Sequence, residues 1–294
     1  MMTTNTNILN THHGVTNHDI RLVVADLDGT LLHGAQTFEE RFLSERSVAT
    51  INRMHEAGYL FAIATARPVS TGFVFADRLP VDAVVYLNGA LLDFDPAHSD
   101  FDLLTGAKPA DEGHLMKIGF SPSRACAVCR ELLRELPTLK IGIVMDDVRY
   151  TNFDVSNYWQ TQTWQYTDFS EGDLPTNTVA DKIIAFPTET ERDRLRALIP
   201  DDFTLSISEG TLWMLMNPNA NKRDALGAVC ARLGITPVQT VTFGDDLVDI
   251  DMMRFSGLSV AVANANPQVL AIADEICPSN DEDGVAQWIE EHLL

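Results

Sequence analysis

Positive charge is scarce in this chain: 21 Lys and Arg stand against 42 Asp and Glu, a formal net charge of −21 at pH 7. Such a surface repels nucleic acid and anionic membranes, so both are set aside as partners. Long apolar runs are missing as well, and no stretch reaches the ~20 residues needed to cross a bilayer. Residues 1–17 are rich in Thr and Asn, with neither an apolar h-region nor a basic n-region, and do not read as a signal peptide. Residues 1–19 are therefore expected to form a disordered tail in which His12-His13 is incidental. Cysteine is sparse, with four in the chain and only Cys126 and Cys129 close together. A zinc site would need a second pair, and Cys230 and Cys277 do not supply one. The C-x-x-C lies within SRACAVCRELLREL, where Val128, Leu132, Leu133 and Leu136 recur at helical spacing, so the two cysteines read as small residues on a packed helix. Nothing here demands an oxidising compartment, and a cytoplasmic location is expected.

What is present fits an ordinary globular protein. A chain of 294 residues divides most naturally into two domains, and 45% hydrophobic with 21% charged content suits a folded, water-exposed protein. Near the N-terminus, residues 21–26 (RLVVAD), 59–65 (YLFAIAT) and 83–87 (AVVYL) are apolar runs of the kind a buried parallel strand shows. A helix is predicted over 47–57, stopped by Gly58. Short strands are predicted again at 240–243, 258–262 and 275–277, with helices over 223–233 and 268–273. The middle lacks this alternation: strands at 140–145 and 182–186, and a pair within 204–216 joined at Ser208-Glu209-Gly210, stand among polar loops. The expected fold is α/β, a doubly wound, Rossmann-like parallel-sheet core (residues 20–90 and 217–294) with an inserted α+β cap domain (residues 91–216).

Four motifs carry chemistry. Asp26-Leu27-Asp28-Gly29-Thr30 puts two carboxylates two residues apart at a strand end, where both can face one pocket and need a cation or proton to offset their repulsion. It is not the start of a calcium loop, because Gln36 and Thr37 stand where the closing Glu should be. Taken alone it also fits an ordinary acidic turn. Thr65-Ala66-Arg67-Pro68 follows the second strand; its hydroxyl and amides suit a phosphate, or simply an N-cap. Lys222 opens a helix, and beside a carboxylate pocket it would bind phosphate. Gly244-Asp245-Asp246-Leu247-Val248-Asp249 is a second acidic strand end of the type Mg2+ favours.

In this order the motifs resemble those of the haloacid-dehalogenase superfamily, and specifically its Cof-type phosphatases with a large α/β cap. The resemblance runs from about Ile20 to Leu294 and includes Asn88-Gly89-Ala90, Val262-Ala263-Asn264-Ala265 and Asp283-Gly284-Val285-Ala286. It implies a Mg2+-dependent phosphatase acting on small phosphorylated metabolites through an aspartyl-phosphate. Asp26 would be the nucleophile and Asp28 the general acid/base. Leu27, Thr65, Ala66 and Lys222 would bind phosphate, and Asp26, Asp28 and Asp245 would hold the metal. Asn88, Asp249 and Asn264 would stand nearby. The chain departs from the family pattern at Ala66, where Gly is usual, at Arg223, where Gly follows the Lys, and at Val248, where an Asn normally helps hold phosphate. Asn264 is the expected substitute for that Asn. A phosphomutase, or a catalytically quiet ligand-binding protein of the same fold, are the alternatives. The cap aromatics Tyr158, Trp159, Trp164 and Tyr166 are expected to form the cap's own core.

Overall fold

The computed structural model describes residues 19–159, 162–170, 172–208 and 210–294. The expected N-terminal tail with His12-His13, Asp19 excepted, and the turn residue Glu209 thus lie outside the described residues.

Strand β1 (Leu22–Ala25) is buried along its whole length, because parallel strands flank it on both sides and helices cover both faces. It leads through α1 (Glu45–Glu56) to β2 (Leu60–Ala64), and through α2 (Val69–Ala76) to β3 (Ala83–Tyr86). Helix α1 starts where the Ser44 side chain accepts the Ser47 N–H, and it buries Ser47, Thr50, Ile51 and Met54 on one face. Next come β4 (Leu91–Asp93), α3 (Phe101–Leu104) and β5 (Leu115–Lys117). A second sheet follows, built from α4 (Pro122–Glu135), β6 (Lys140–Met145), β7 (Val148–Thr151), β8 (Trp164–Tyr166), β9 (Lys182–Phe186), α5 (Glu189–Leu198), β10 (Thr204–Ser208) and β11 (Leu212–Met216). The chain then returns to the first sheet as α6 (Lys222–Leu233), β12 (Thr240–Gly244), α7 (Ile250–Phe255), β13 (Leu258–Val262), α8 (Pro267–Leu270), β14 (Glu275–Cys277) and α9 (Gly284–His292).

The first sheet has eight strands in the order β14-β13-β12-β1-β2-β3-β4-β5. From the β1–β12 junction the two halves wind outward in opposite directions, which opens a crevice at the carboxyl ends of those two strands. The second sheet runs β10-β11-β9-β6-β7-β8 and is antiparallel except where β7 meets β8. The doubly wound core with an inserted α+β unit is therefore the architecture found.

Two expectations change. Residues 91–117 were expected in the insert, yet β4 and β5 pair antiparallel onto the edge of the first sheet. The cause is local: Leu87 and Asn88 take left-handed backbone angles (φ 53° and 55°) and turn the chain straight back beside β3. The cap aromatics also do not form its core. Tyr158 and Tyr166 are exposed, and Trp159 packs with Phe186 at its margin. The core of the second sheet is made instead by Cys126, Cys129 and Leu132 of α4 against Ile141, Ile143 and Trp213. Both cysteines are thus buried packing residues, as their helical context predicted.

Candidate active site

The site gathers at the β1–β12 crevice. Asp26 follows β1 directly, and its N–H continues the ladder by donating to the Phe243 carbonyl, 3.1 Å away. The chain then coils around the Leu27 carbonyl, which accepts from the N–H groups of Leu31 (3.0 Å) and Leu32 (2.8 Å). Gly29 makes this turn possible. Its φ is +79°, and a Cβ there would come within 2.3 Å of an Asp245 carboxylate oxygen. Thr30 uses the space the glycine leaves, and its hydroxyl donates to Asp245 at 2.9 Å.

From the other side, Lys222 enters as the first residue of α6, behind the N-cap Asn221. It is only 2% exposed, and its ammonium donates to Asp26 Oδ1 and Asp249 Oδ1, both at 2.6 Å. Asp249, expected as a neighbour, is a junction. Its second oxygen accepts the N–H groups of Asp245 and Asp246 (3.1 Å each) while the first holds Lys222. Oxygens of Asp26, Asp245 and Asp249 all lie within 4.8 Å of one another.

Three carboxylates facing one ammonium leave an excess of negative charge in a dry pocket. Burial, above all, raises Asp26 well above the ordinary carboxylate range; Lys222 pulls it back, and Asp249, Asp245 and Asp28 push it further up. Burial likewise lifts Asp245 to about 7, with Asp249 adding to it. Burial works against the charge on Lys222, but Asp249 and Asp26 outweigh it and the net shift is upward. An all-oxygen, charge-rich donor set of this kind fits a hard dication such as Mg2+.

The remaining expected residues fall as follows. Thr65 is buried at the end of β2, and its hydroxyl accepts the Arg67 N–H at 3.1 Å, with exposed Ala66 between them. Asn88 donates its N–H to the Thr65 carbonyl (2.9 Å), and its own Oδ1 is buried with no partner among the described residues. Asn264 donates to the Gly29 carbonyl (2.7 Å) and accepts the Asn280 N–H (3.0 Å), so both ends of its amide hold main chain. Val248 sits partly exposed in the short 3-10 turn Leu247–Asp249.

Asp28 is held by a different set of partners. Arg67 grips it with two bonds, Nε to Oδ2 at 2.7 Å and Nη2 to Oδ1 at 2.6 Å, and Arg41 adds a third at 2.9 Å. Arg67 is itself buried, lying 3.9 Å below the Phe38 ring. Arg67, Arg41 and Thr30 are the contributors that sequence reasoning missed. Arg67 and Thr30 lie inside quoted motifs, whereas Arg41 carries no local signal.

The family model of haloacid dehalogenase-like hydrolases matches residues 23–289. A 5-amino-6-(5-phospho-D-ribitylamino)uracil phosphatase of Bacillus subtilis, YitU, is 25% identical over 92% of this chain and 97% of its own. A second Bacillus subtilis protein of the same description, YcsE, is 27% identical over 94% and 97%. Among solved structures, a haloacid dehalogenase-like hydrolase from Bacteroides thetaiotaomicron superposes with a TM-score of 0.75 at 22% identity, covering 92% of this chain and 99% of that one. A subclass IIB sugar phosphatase gives 0.72 at 20% identity, covering 92% and 98%. With the motif positions gathered at one crevice and the match spanning nearly all of the chain, the protein belongs to the haloacid dehalogenase-like hydrolases.

Proposed function

We propose that this chain is a Mg2+-dependent phosphatase that hydrolyses small phosphate monoesters through an aspartyl-phosphate on Asp26. The observation that carries the reading is the setting of Asp26: a buried carboxylate at the carboxyl end of β1, bonded to Lys222 and clustered with Asp245 and Asp249. The relatives named as phosphatases support the same activity, and the substrates in their names favour a sugar- or polyol-phosphate class.

In the first half-reaction an Asp26 oxygen attacks phosphorus, and the bond from phosphorus to the ester oxygen breaks. Asp28 gives its proton to that departing oxygen. For this one Asp28 oxygen turns from Arg67 toward the ester while the guanidinium keeps the other and holds the side chain in line. In the second half, water attacks the phosphorus of the aspartyl-phosphate and yields a proton to Asp28; inorganic phosphate leaves and the Asp26 carboxylate is restored. Lys222 offsets charge on the phosphoryl oxygens, and the Thr65 hydroxyl with the Ala66 N–H orients them. Bound by Asp26, Asp245 and the main-chain carbonyl of Asp28, with Asp249 alongside, Mg2+ would supply the remaining positive charge.

A phosphate-release screen over sugar phosphates, polyol phosphates, nucleotides and pyridoxal phosphate, with Mg2+ or with EDTA, tests the reading. Mg2+-dependent release from at least one class is the expected result. A folded protein that releases none under any condition would overturn it.

A further inference from the structure

The hairpin between β6 and β7 turns on Asp146 and Asp147, and both adopt left-handed backbone angles (φ 49° and 63°). Two-residue hairpin turns call for such angles, and Gly or Asn usually supplies them. Two consecutive aspartates are a costlier choice, which directs attention to what their side chains do. Each makes a bond to an element of the first sheet's layer. Asp146 pairs with Lys117 of β5, on the edge of the first sheet. Asp147 is buried; one of its oxygens accepts from Arg149 at 2.7 Å, and the other accepts the main-chain N–H of Ser70 at 2.6 Å.

Ser70 is the second residue of α2, so its N–H is one of the first-turn donors that a helix leaves without an internal partner. A side chain at the N-cap ordinarily takes such a donor, but the N-cap here is Pro68, which makes no side-chain bond. Asp147 supplies the missing acceptor from the opposite sheet. This helix follows directly on Thr65-Ala66-Arg67, so the contact joins the second sheet to the segment that presents Thr65 and Arg67 to the site. Leu87 and Val69 sit beside the same joint, around a cavity of only about 10 Å3, which leaves room for a single water at most. Leu87 in turn donates its N–H to the Arg67 carbonyl at 3.1 Å.

We propose that Asp147 is a positioning residue: by capping α2 from the inserted sheet it fixes that sheet against the first and steadies the Thr65–Arg67 segment, with the Asp146–Lys117 pair as the second jaw of the clasp. The proposal rests on the phosphatase reading for its kinetic arm alone. Its test compares Asp147→Ala, which removes the acceptor, with Asp147→Asn, whose amide oxygen can still receive the Ser70 N–H. In each protein, hydrogen exchange is measured at the Ser70 amide, the radius of gyration by small-angle X-ray scattering, and kcat and KM with p-nitrophenyl phosphate.

In the alanine variant, Ser70 exchange should quicken about fivefold or more, as loss of a helix cap implies. The radius of gyration should grow, and KM should change by a larger factor than kcat. Asparagine should restore all three. A folded alanine variant with wild-type exchange at Ser70 and wild-type scattering overturns the proposal, as does an asparagine variant as impaired as alanine. Should Asp147→Ala fail to fold, Lys117→Met loosens only the partly exposed jaw and is read in the same way; faster Ser70 exchange supports the clasp and unchanged exchange refutes it. If no protein in the series, wild type included, turns over p-nitrophenyl phosphate, the substrate screen decides the phosphatase reading, while exchange and scattering still decide the clasp.

Discussion

Arg67 holds Asp28 in a two-bond grip, Nε to one carboxylate oxygen at 2.7 Å and Nη2 to the other at 2.6 Å, and the guanidinium that does so is almost wholly buried. Paired planar bonds of this kind fix orientation as well as distance. In the proposed cycle Asp28 must face the ester oxygen and then the water, so the partner that sets its resting rotamer bears directly on rate. Arg67→Gln is expected to lower kcat by roughly tenfold or more, the scale of a lost charge-assisted bond. Arg67→Lys keeps the charge but loses the fork and should recover only part of the rate. Steady-state kinetics beside a melting curve make the check; a stable Gln variant with wild-type kcat would separate Arg67 from the chemistry.

Asp26→Asn replaces the proposed nucleophilic carboxylate with an amide and should abolish turnover, with a loss on the order of a thousandfold or greater. Its folding should survive, because burial already disfavours the Asp26 charge. Phosphate release is the readout, and substantial activity in the folded variant would remove Asp26 from the nucleophile's role.

EDTA should silence the enzyme, and two substitutions should reach the same site from different sides. Asp245→Asn withdraws a carboxylate from the acidic trio and should raise the Mg2+ concentration giving half-maximal activity. Gly29→Ala should do likewise, since its Cβ would press within 2.3 Å of an Asp245 oxygen from a backbone at φ +79°. Mg2+ titrations of activity decide both, and an unchanged midpoint in Asp245→Asn would mean that this loop does not hold the metal.

Val248 is 36% exposed, so Val248→Asn buries no amide and should leave the melting temperature nearly unchanged. An added neutral hydrogen bond to phosphate is worth about 0.5–1.5 kcal/mol, so KM should fall severalfold at most. Asn264 does not stand ready to replace that bond, its amide being held by Gly29 and Asn280. A folded variant whose activity disappears would show that the position does not face phosphate.

Asp181 offers a pH signature away from the site. Burial raises its carboxyl to about 7, with Lys117 opposing the shift. A raised acid binds its proton more tightly in the native state, so its contribution to stability falls as pH climbs from about 4 to 7 and is level above that window. The melting temperature of Asp181→Asn, relative to wild type, should therefore rise steadily with pH across this range. A difference that stays flat would show that the carboxyl is not perturbed.

The parallel strands were legible because burial on both faces writes them as unbroken apolar runs, as in Leu22-Val23-Val24-Ala25. Asp26, Lys222 and Asp245 were legible because each stands at the end of such a run or at the start of a helix. The edge strands β4 and β5 were not, since Leu115 and Lys117 are only half-buried and Met116 is exposed, and the turn that places them depends on left-handed Leu87 and Asn88. The grip of Arg67 and Arg41 on Asp28 was hidden for another reason: it joins residues 39 and 13 positions apart through side-chain geometry, which no local pattern records.

The ion pair between Lys222 and Asp26 spans 196 positions, and it sets a schedule for biosynthesis. Asp26 leaves the ribosome long before Lys222, Asp245 and Asn264, the last of which braces the Gly29 turn. At roughly 5–20 residues per second, Asp26 waits some tens of seconds for its partners. Through that interval the nascent chain carries the Asp26 carboxylate without the ammonium that pairs with it. The inserted sheet, by contrast, has all its strands in hand by Met216 and is free to fold first. The charge balance of this crevice is therefore settled well after the strands of the inserted sheet have been made.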